Sequence, residues 1–139
     1  MTAHTPMKAH LVHEDTYGSV IDYPNDGYLE TRWYDGSSAF TTQTFNERCE
    51  LFADLVERCG RHKVLIDAVQ FGMNAEDLDV EFRDTKVTPR LNAARLQKIA
   101  LVVPADFPPV GAPPAPEGPA DFPTAFFATR ADARAWLDS

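Results

Sequence analysis

The chain has 139 residues, of which 44% are hydrophobic and 24% charged, as expected for one ordinary globular domain with a single core. It carries 21 acidic and 13 basic side chains, a net charge of -8. This balance argues against binding to nucleic acid or to an anionic membrane surface, because both require a basic face.

Residues 1–8 are polar and include Pro6, so we expect a flexible N-terminus followed by one domain over residues 9–139. They lack the apolar run of a signal peptide. No window reaches the roughly 20 apolar residues of a membrane helix. We therefore expect a cytoplasmic protein without membrane insertion.

Three short stretches rich in β-branched and aromatic residues are predicted strands: His10 to Glu14, Ser19 to Tyr23 and Tyr28 to Tyr34. The tetrapeptide Pro24-Asn25-Asp26-Gly27 is a strong turn signal and predicts an antiparallel hairpin. In the third stretch, polar and apolar side chains alternate, which predicts one face on the core and one in water. Tyr28, Glu30, Arg32 and Tyr34 share one face, and Leu29, Thr31 and Trp33 share the other.

A helix is predicted over Thr42 to Cys59, because its apolar residues recur at spacings of four and three. These residues are Phe45, Cys49, Phe52, Val56 and Cys59. Thr41 or Thr44 can cap it, Thr44 with Glu47 fits a capping box, and Gly60 ends it. The two cysteines lie about 15 Å apart along such a helix, beyond disulfide reach, so we expect both to be reduced.

The chain then alternates buried strands with helical segments, which predicts parallel pairing through right-handed crossovers. Val64-Leu65-Ile66 should be a central strand, and residues 74–97 show a broken helical pattern. Thr88-Pro89 fits an N-cap followed by the first residue of a second helix.

The last part of the chain begins with the predicted strand Ile99 to Val103. Residues 104–123 hold eight of the eleven prolines and are predicted to form an extended Pro-rich loop. Thr124 to Ala128 is a further strand, and Thr129 is a suitable N-cap for a terminal helix over Ala131 to Leu137.

The predicted strands include Lys63 to Asp67 and Lys98 to Val103, and the terminal helix contains Ala133-Arg134-Ala135-Trp136-Leu137. This order of elements resembles the SpoIIAA-like family of the STAS and Sec14-like fold. The resemblance covers Tyr28 to Leu137, with the Pro-rich loop as an insertion. It implies an α/β domain with a mixed four- to five-stranded sheet, an N-terminal antiparallel hairpin and helices mainly on one face. It also implies frequent homodimerisation and a role in binding rather than catalysis.

Anti-sigma-factor antagonists of that family carry a phosphorylatable serine after the central strand. The matching segment here, Asp67 to Asn74, contains neither serine nor threonine. We therefore expect no phosphoserine switch in this chain.

The candidate ligand-binding residues are Asp67, Gln70, Phe71 and Met73. Asp67 ends a buried strand, where ligands often bind in open α/β sheets, although its carboxylate can equally cap the next turn. The chain also has more aromatic residues than a minimal core needs. Phe71 and its neighbours can therefore fill the core, line a ligand pocket or form a dimer surface.

We predict no catalytic residue, cofactor or metal. The chain lacks a phosphate-binding Gly-rich loop, a Gly-x-Ser-x-Gly elbow, His-Glu-x-x-His and Cys-x-x-Cys. His10 and His13 would point to opposite faces of a strand. The acidic residues Glu76, Asp77, Asp79 and Glu81 suit the start of a helix.

Three functions follow as hypotheses. The first is a non-enzymatic binding or regulatory module that acts as a homodimer or on a protein partner. The second is a carrier or sensor of a small apolar ligand such as a lipid. The third is an enzyme that uses Asp67 with Glu76 or Asp77.

Overall fold

The computed structural model describes residues 9–36, 40–72 and 78–139. Over these residues the chain forms an α/β domain around one mixed sheet. The strands are β1 (His10–Glu14), β2 (Gly18–Tyr23), β3 (Tyr28–Trp33), β4 (Lys63–Asp67), β5 (Lys98–Val102), β6 (Ala115–Pro116) and β7 (Pro123–Phe127). Their order across the sheet is β1-β2-β3-β4-β5-β7-β6.

The sheet is wider than the four to five strands expected, with seven strands among the described residues. All three N-terminal stretches join it as an antiparallel meander, because β2 pairs with both β1 and β3. Strands β3, β4, β5 and β7 pair in parallel, as expected for crossover connections. The two-residue β6, inside the Pro-rich segment, adds the far edge antiparallel to β7.

The long helix α1 spans Thr42–Cys59, as predicted. Its N-cap is Thr41, whose hydroxyl accepts a hydrogen bond from the Thr44 amide at 3.1 Å. Thr44 therefore lies inside the first turn, and the alternative cap at Thr44 is wrong. Gly60 ends the helix with a φ of 69°, a conformation that glycine adopts without steric cost.

The second helical region is continuous around Pro89 rather than broken before it. Helix α2 (Val80–Phe82) leads into a π-helical turn (Arg83–Val87) and then α3 (Thr88–Ala93). Thr88 has helical φ and ψ, and its amide donates to the Arg83 carbonyl, so it is not the expected N-cap. A wide turn accommodates Pro89, because proline has no amide hydrogen and its ring collides with the carbonyl four residues earlier.

Helices cover both faces of the sheet. Leu29 and Val64 pack in one cluster with residues of α1 and α3. Tyr28 and Leu65 point to the other face and pack against the terminal helix α4 (Arg130–Leu137), which Thr129 caps as predicted. Helices α1 to α3 therefore share one face, and among the described residues α4 is the helix that covers the opposite one.

Strand β3 is consequently buried on both faces over Tyr28 to Thr31, so the expected solvent face is wrong for this part of the strand. The side chain of Glu30 is completely buried. Alternation along one strand shows which residues share a face, but it does not show what covers that face. The face of Tyr28 and Glu30 is covered by α4, which begins 100 residues after Glu30.

The Pro-rich segment is tied to the domain near its end. The Asn92 side chain donates to the Pro119 carbonyl at 3.0 Å and accepts from the Asp121 amide at 2.9 Å. Phe122 is buried, with 2% of its surface exposed, in the cluster under α1 and α3. This segment thus contributes to the core as well as forming β6.

No helix in the described part of the chain is long and apolar enough to cross a membrane.

Candidate functional site

A cavity of about 290 Å³, here called the apolar cavity, lies between the sheet and the helices α1 to α3. Strands β3, β4 and β5 supply one wall through alternate side chains of the same face, and the helices supply the other. The wall residues used below come from five separate segments of the chain: Thr31, Trp33, Phe45, Arg48, Cys49, Phe71, Asp79, Val80, Arg83, Val87, Leu91, Glu117, Ala120 and Phe122.

Three aromatic rings form one end of the apolar cavity. Trp33 ends β3, Phe45 lies in the first turn of α1, and Phe71 lies in the turn after β4. The ring centroid of Phe71 is 5.4 Å from that of Trp33 and 5.5 Å from that of Phe45. These spacings are typical of favourable aromatic contacts, so the rings form a continuous apolar wall.

The apolar cavity extends from the core to the surface. Val87, Leu91 and Phe122 are buried core residues that line it. Val80, which also lines it, is 53% exposed, and Asp79 and Glu117 are exposed lining residues as well. Exposed residues therefore form the rim of the cavity, at the start of α2 and in the Pro-rich segment.

One charged side chain, Arg48 of α1, is buried in the wall of the apolar cavity with only 5% of its surface exposed. Its Nε donates to Asp15 Oδ2 at 3.1 Å. Its Cζ lies 5.2 Å from the ring centroid of Trp33, within the range of a cation–π contact. Nη1 and Nη2 have no hydrogen-bond partner among the described residues, although both atoms are buried.

Asp15 cannot satisfy those two nitrogens, because its carboxylate already serves other donors. Oδ1 accepts from the amides of Tyr17 and Gly18, and Oδ2 lies 2.9 Å from Nε2 of His13. Burial alone would raise the pKa of Asp15, but the His13 contact, the Arg48 charge and the two amides outweigh it and lower the pKa. Asp15 is thus an anion fixed at one edge of the guanidinium.

A second residue that lines the same cavity, Thr31, also has an unpartnered polar atom. Thr31 is 2% exposed, and its hydroxyl has no hydrogen-bond partner among the described residues. A buried polar group without a partner costs about 1–3 kcal/mol, and more when it is charged. Thr31 and Arg48 therefore leave polar groups unsatisfied within a mainly apolar wall.

Cys49 also lines the apolar cavity, next to Arg48. Burial raises the pKa of its thiol to about 12, so the protonated form dominates at neutral pH. The thiolate is the nucleophilic form of cysteine, and Cys49 is consequently a packing residue here. Both cysteines are free, as predicted.

The residues selected from the sequence fall in two places. Phe71 lines the apolar cavity, whereas Asp67 and Gln70 line a separate hollow of about 250 Å³ together with Arg32. Asp67 Oδ2 lies 3.8 Å from Arg32 Nε, and Oδ1 accepts from the Val69 amide at 3.3 Å. Met73 lies outside the described residues, as do Glu76 and Asp77.

Asp67 thus has an arginine partner and a turn amide. Within residues 9–36, 40–72 and 78–139, no group of three or more His, Cys, Asp or Glu side chains could hold a metal ion.

Sequence reasoning missed Arg48, although a signal was present. Arg48 follows Phe45 by three positions and precedes Phe52 by four, so it lies on the apolar stripe of α1. A charged residue inside such a stripe has to be paired or functional, because burial of an isolated charge is costly. That reasoning would have placed Arg48 among the candidates.

Comparison of the chain with protein-family models, with curated proteins and with solved structures finds no match. The SpoIIAA-like resemblance therefore stays a prediction.

Proposed function

We propose that this protein binds a small apolar ligand in the apolar cavity and acts as its carrier or sensor. The observation that carries the proposal is a cavity of about 290 Å³ that is lined mainly by apolar side chains and reaches exposed residues at its rim. Ligand pockets of proteins typically combine such walls with a few polar groups.

The volume limits the size of the ligand. A cavity of about 150 Å³ lined by apolar side chains holds one benzene molecule. The apolar cavity, at about 290 Å³, is about twice as large. By that comparison it suits a ligand of about a dozen non-hydrogen atoms, the size of a medium-length alkyl chain.

The SpoIIAA-like resemblance is part of this proposal, because it implies binding rather than catalysis. The other two hypotheses, a protein-binding module that acts as a homodimer or on a regulatory partner and an enzyme that uses Asp67, stay predictions. We favour the carrier or sensor because the described residues form a cavity for its ligand.

The test uses the full chain in two measurements. Native mass spectrometry after gentle purification should show additional bound mass, and titration calorimetry should show binding of decan-1-ol, a neutral probe of suitable size. Ala120→Phe places a ring at a position that lines the cavity and should weaken decan-1-ol binding at least tenfold. The matched control is Ala112→Phe, at an exposed position of the same Pro-rich segment, and it should bind normally.

The melting temperature of both variants distinguishes loss of cavity volume from loss of folding. The proposal fails if the folded wild-type protein carries no co-purified ligand and also does not bind decan-1-ol. It also fails if Ala120→Phe, still folded, binds decan-1-ol as tightly as Ala112→Phe does.

A further inference from the structure

The unsatisfied end of Arg48 indicates what kind of head group the ligand carries. The guanidinium is always charged, and it presents its N–H donors in a planar fork. Only its Nε edge is occupied, by Asp15, while buried Nη1 and Nη2 have no partner among the described residues. Buried donors of this kind are nearly always paired in folded proteins.

The chemistry of those donors favours an anion with two acceptor oxygens. A carboxylate can accept from both Nη atoms of one guanidinium at once, and hydrogen bonds between charged partners are the strongest ordinary ones. Water does not reach either Nη atom in this conformation, so neighbouring side chains have to move when the head group binds. Thr31 also lines the cavity, and its buried, unpartnered hydroxyl becomes a further neutral donor once the same movement exposes it. A cationic head group would instead meet like charge at Arg48.

Among the described residues, the rim of the cavity does not provide an equivalent site for an anion. Its exposed lining residues Asp79 and Glu117 are acidic. Arg83 also lines the cavity, but its Nε donates to Asp84 at 3.0 Å and its side chain is 41% exposed, so water can satisfy its remaining donors. A carboxylate is therefore better placed at Arg48, with its alkyl chain along the apolar wall.

We infer that the ligand is an amphiphilic anion, namely a medium-chain carboxylate whose head group binds Arg48 and whose alkyl chain fills the apolar cavity. This inference rests on the proposed function and adds the chemical class of the ligand. The carboxylate head group distinguishes this ligand from a neutral one, whereas both would place an apolar chain in the cavity.

The test compares three probes of equal chain length on the full wild-type protein by titration calorimetry, below their micellar concentrations. These are decanoate, decan-1-ol and decylamine, at about pH 7.5, where the carboxylic acid is ionised. Decanoate should bind about tenfold to a hundredfold more tightly than decan-1-ol, because it adds charge-assisted hydrogen bonds. Decylamine should bind more weakly than decan-1-ol.

The variant Arg48→Met keeps most of the side-chain length but removes the charge and the donors. It should bind decanoate no more tightly than decan-1-ol. Arg58→Met, at an exposed position of the same helix, is the matched control and should keep the full preference. If Arg48→Met does not fold, Arg48→Lys replaces it and should reduce the preference several-fold, since an ammonium cannot form the bidentate pair.

The outcomes separate this inference from the proposed function. If decan-1-ol binds and decanoate binds no more tightly, the anionic head group is refuted while the apolar cavity remains a binding site. If a folded Arg48 variant keeps the full preference, the assignment to Arg48 is refuted. If no probe binds, both proposals fail together.

Discussion

Removal of the Arg130 side chain should lower the free energy of unfolding much more than removal of the Arg134 side chain, which lies on the same helix α4. Glu30 is completely buried and accepts from Arg32 Nη2 at 2.7 Å, from Arg130 Nε at 3.0 Å and from Arg130 Nη2. Arg130→Met removes two of these three hydrogen bonds and leaves the carboxylate buried. Hydrogen bonds to charged groups contribute about 1.5–3 kcal/mol each, and loss of one partner of a buried pair costs about 3–5 kcal/mol.

Arg130 is 34% exposed, so water can replace part of what is lost, and we expect the free energy of unfolding to fall by about 2–4 kcal/mol. Arg134→Met is a close control, because Arg130 and Arg134 lie over Tyr rings at 5.6 and 5.7 Å. Arg134, however, pairs with exposed Asp26 at 3.5 Å, and its removal should cost less than about 1 kcal/mol. Urea denaturation measures both values. Equal losses in the two variants would refute the assigned role of the buried carboxylate.

Two further predictions concern single ionisable groups. In a Cys59→Ser protein at about pH 8, Cys49 should react with a thiol reagent at least about a hundredfold more slowly than a free thiol, because burial raises its pKa to about 12. Denaturant should abolish the difference, and rapid modification of the folded protein would contradict the prediction. Asp15 has a lowered pKa in the folded state, so its contribution to stability is present above the unfolded value of about 3.9 and is lost as the pH falls through the folded value. Urea denaturation between about pH 5 and pH 2 should therefore show a steeper loss for the wild type than for Asp15→Asn, and parallel curves would count against it.

Much of the fold could be predicted because its signals are local. The spacing of apolar residues from Phe45 to Cys59 gave the range of α1, and Gly60 and Thr129 marked helix ends that the structure confirms. The parallel pairing of the central strands also follows from neighbouring elements. The alternation in β3 correctly separated its two faces, but only tertiary contact with α4 decides that both are buried.

The rest could not be read from local patterns because it depends on distant pairing. Strand β6 consists of two residues, Ala115 and Pro116, and forms only because β7 offers an edge. The π-helical turn before α3 likewise depends on how Pro89 fits between helix and core. For the site, the number of aromatic residues in the chain and the position of Phe71 after the central strand made Phe71 a candidate. The cavity beside it exists only in the assembled domain.

Two of the buried charged residues, Glu30 and Arg48, differ in whether the fold satisfies their hydrogen bonds. The oxygens of Glu30 accept hydrogen bonds from Arg32 and Arg130, so the carboxylate is satisfied within the fold. The guanidinium of Arg48 is also buried but has a hydrogen-bond partner only at Nε among the described residues. A satisfied buried charge can be explained by the folded chain alone. An unsatisfied one beside an apolar cavity lowers stability without a local benefit, and such departures from good packing concentrate where a protein binds something else. Glu30 is therefore best explained by the architecture of the sheet, and Arg48 by the ligand that we propose for the cavity.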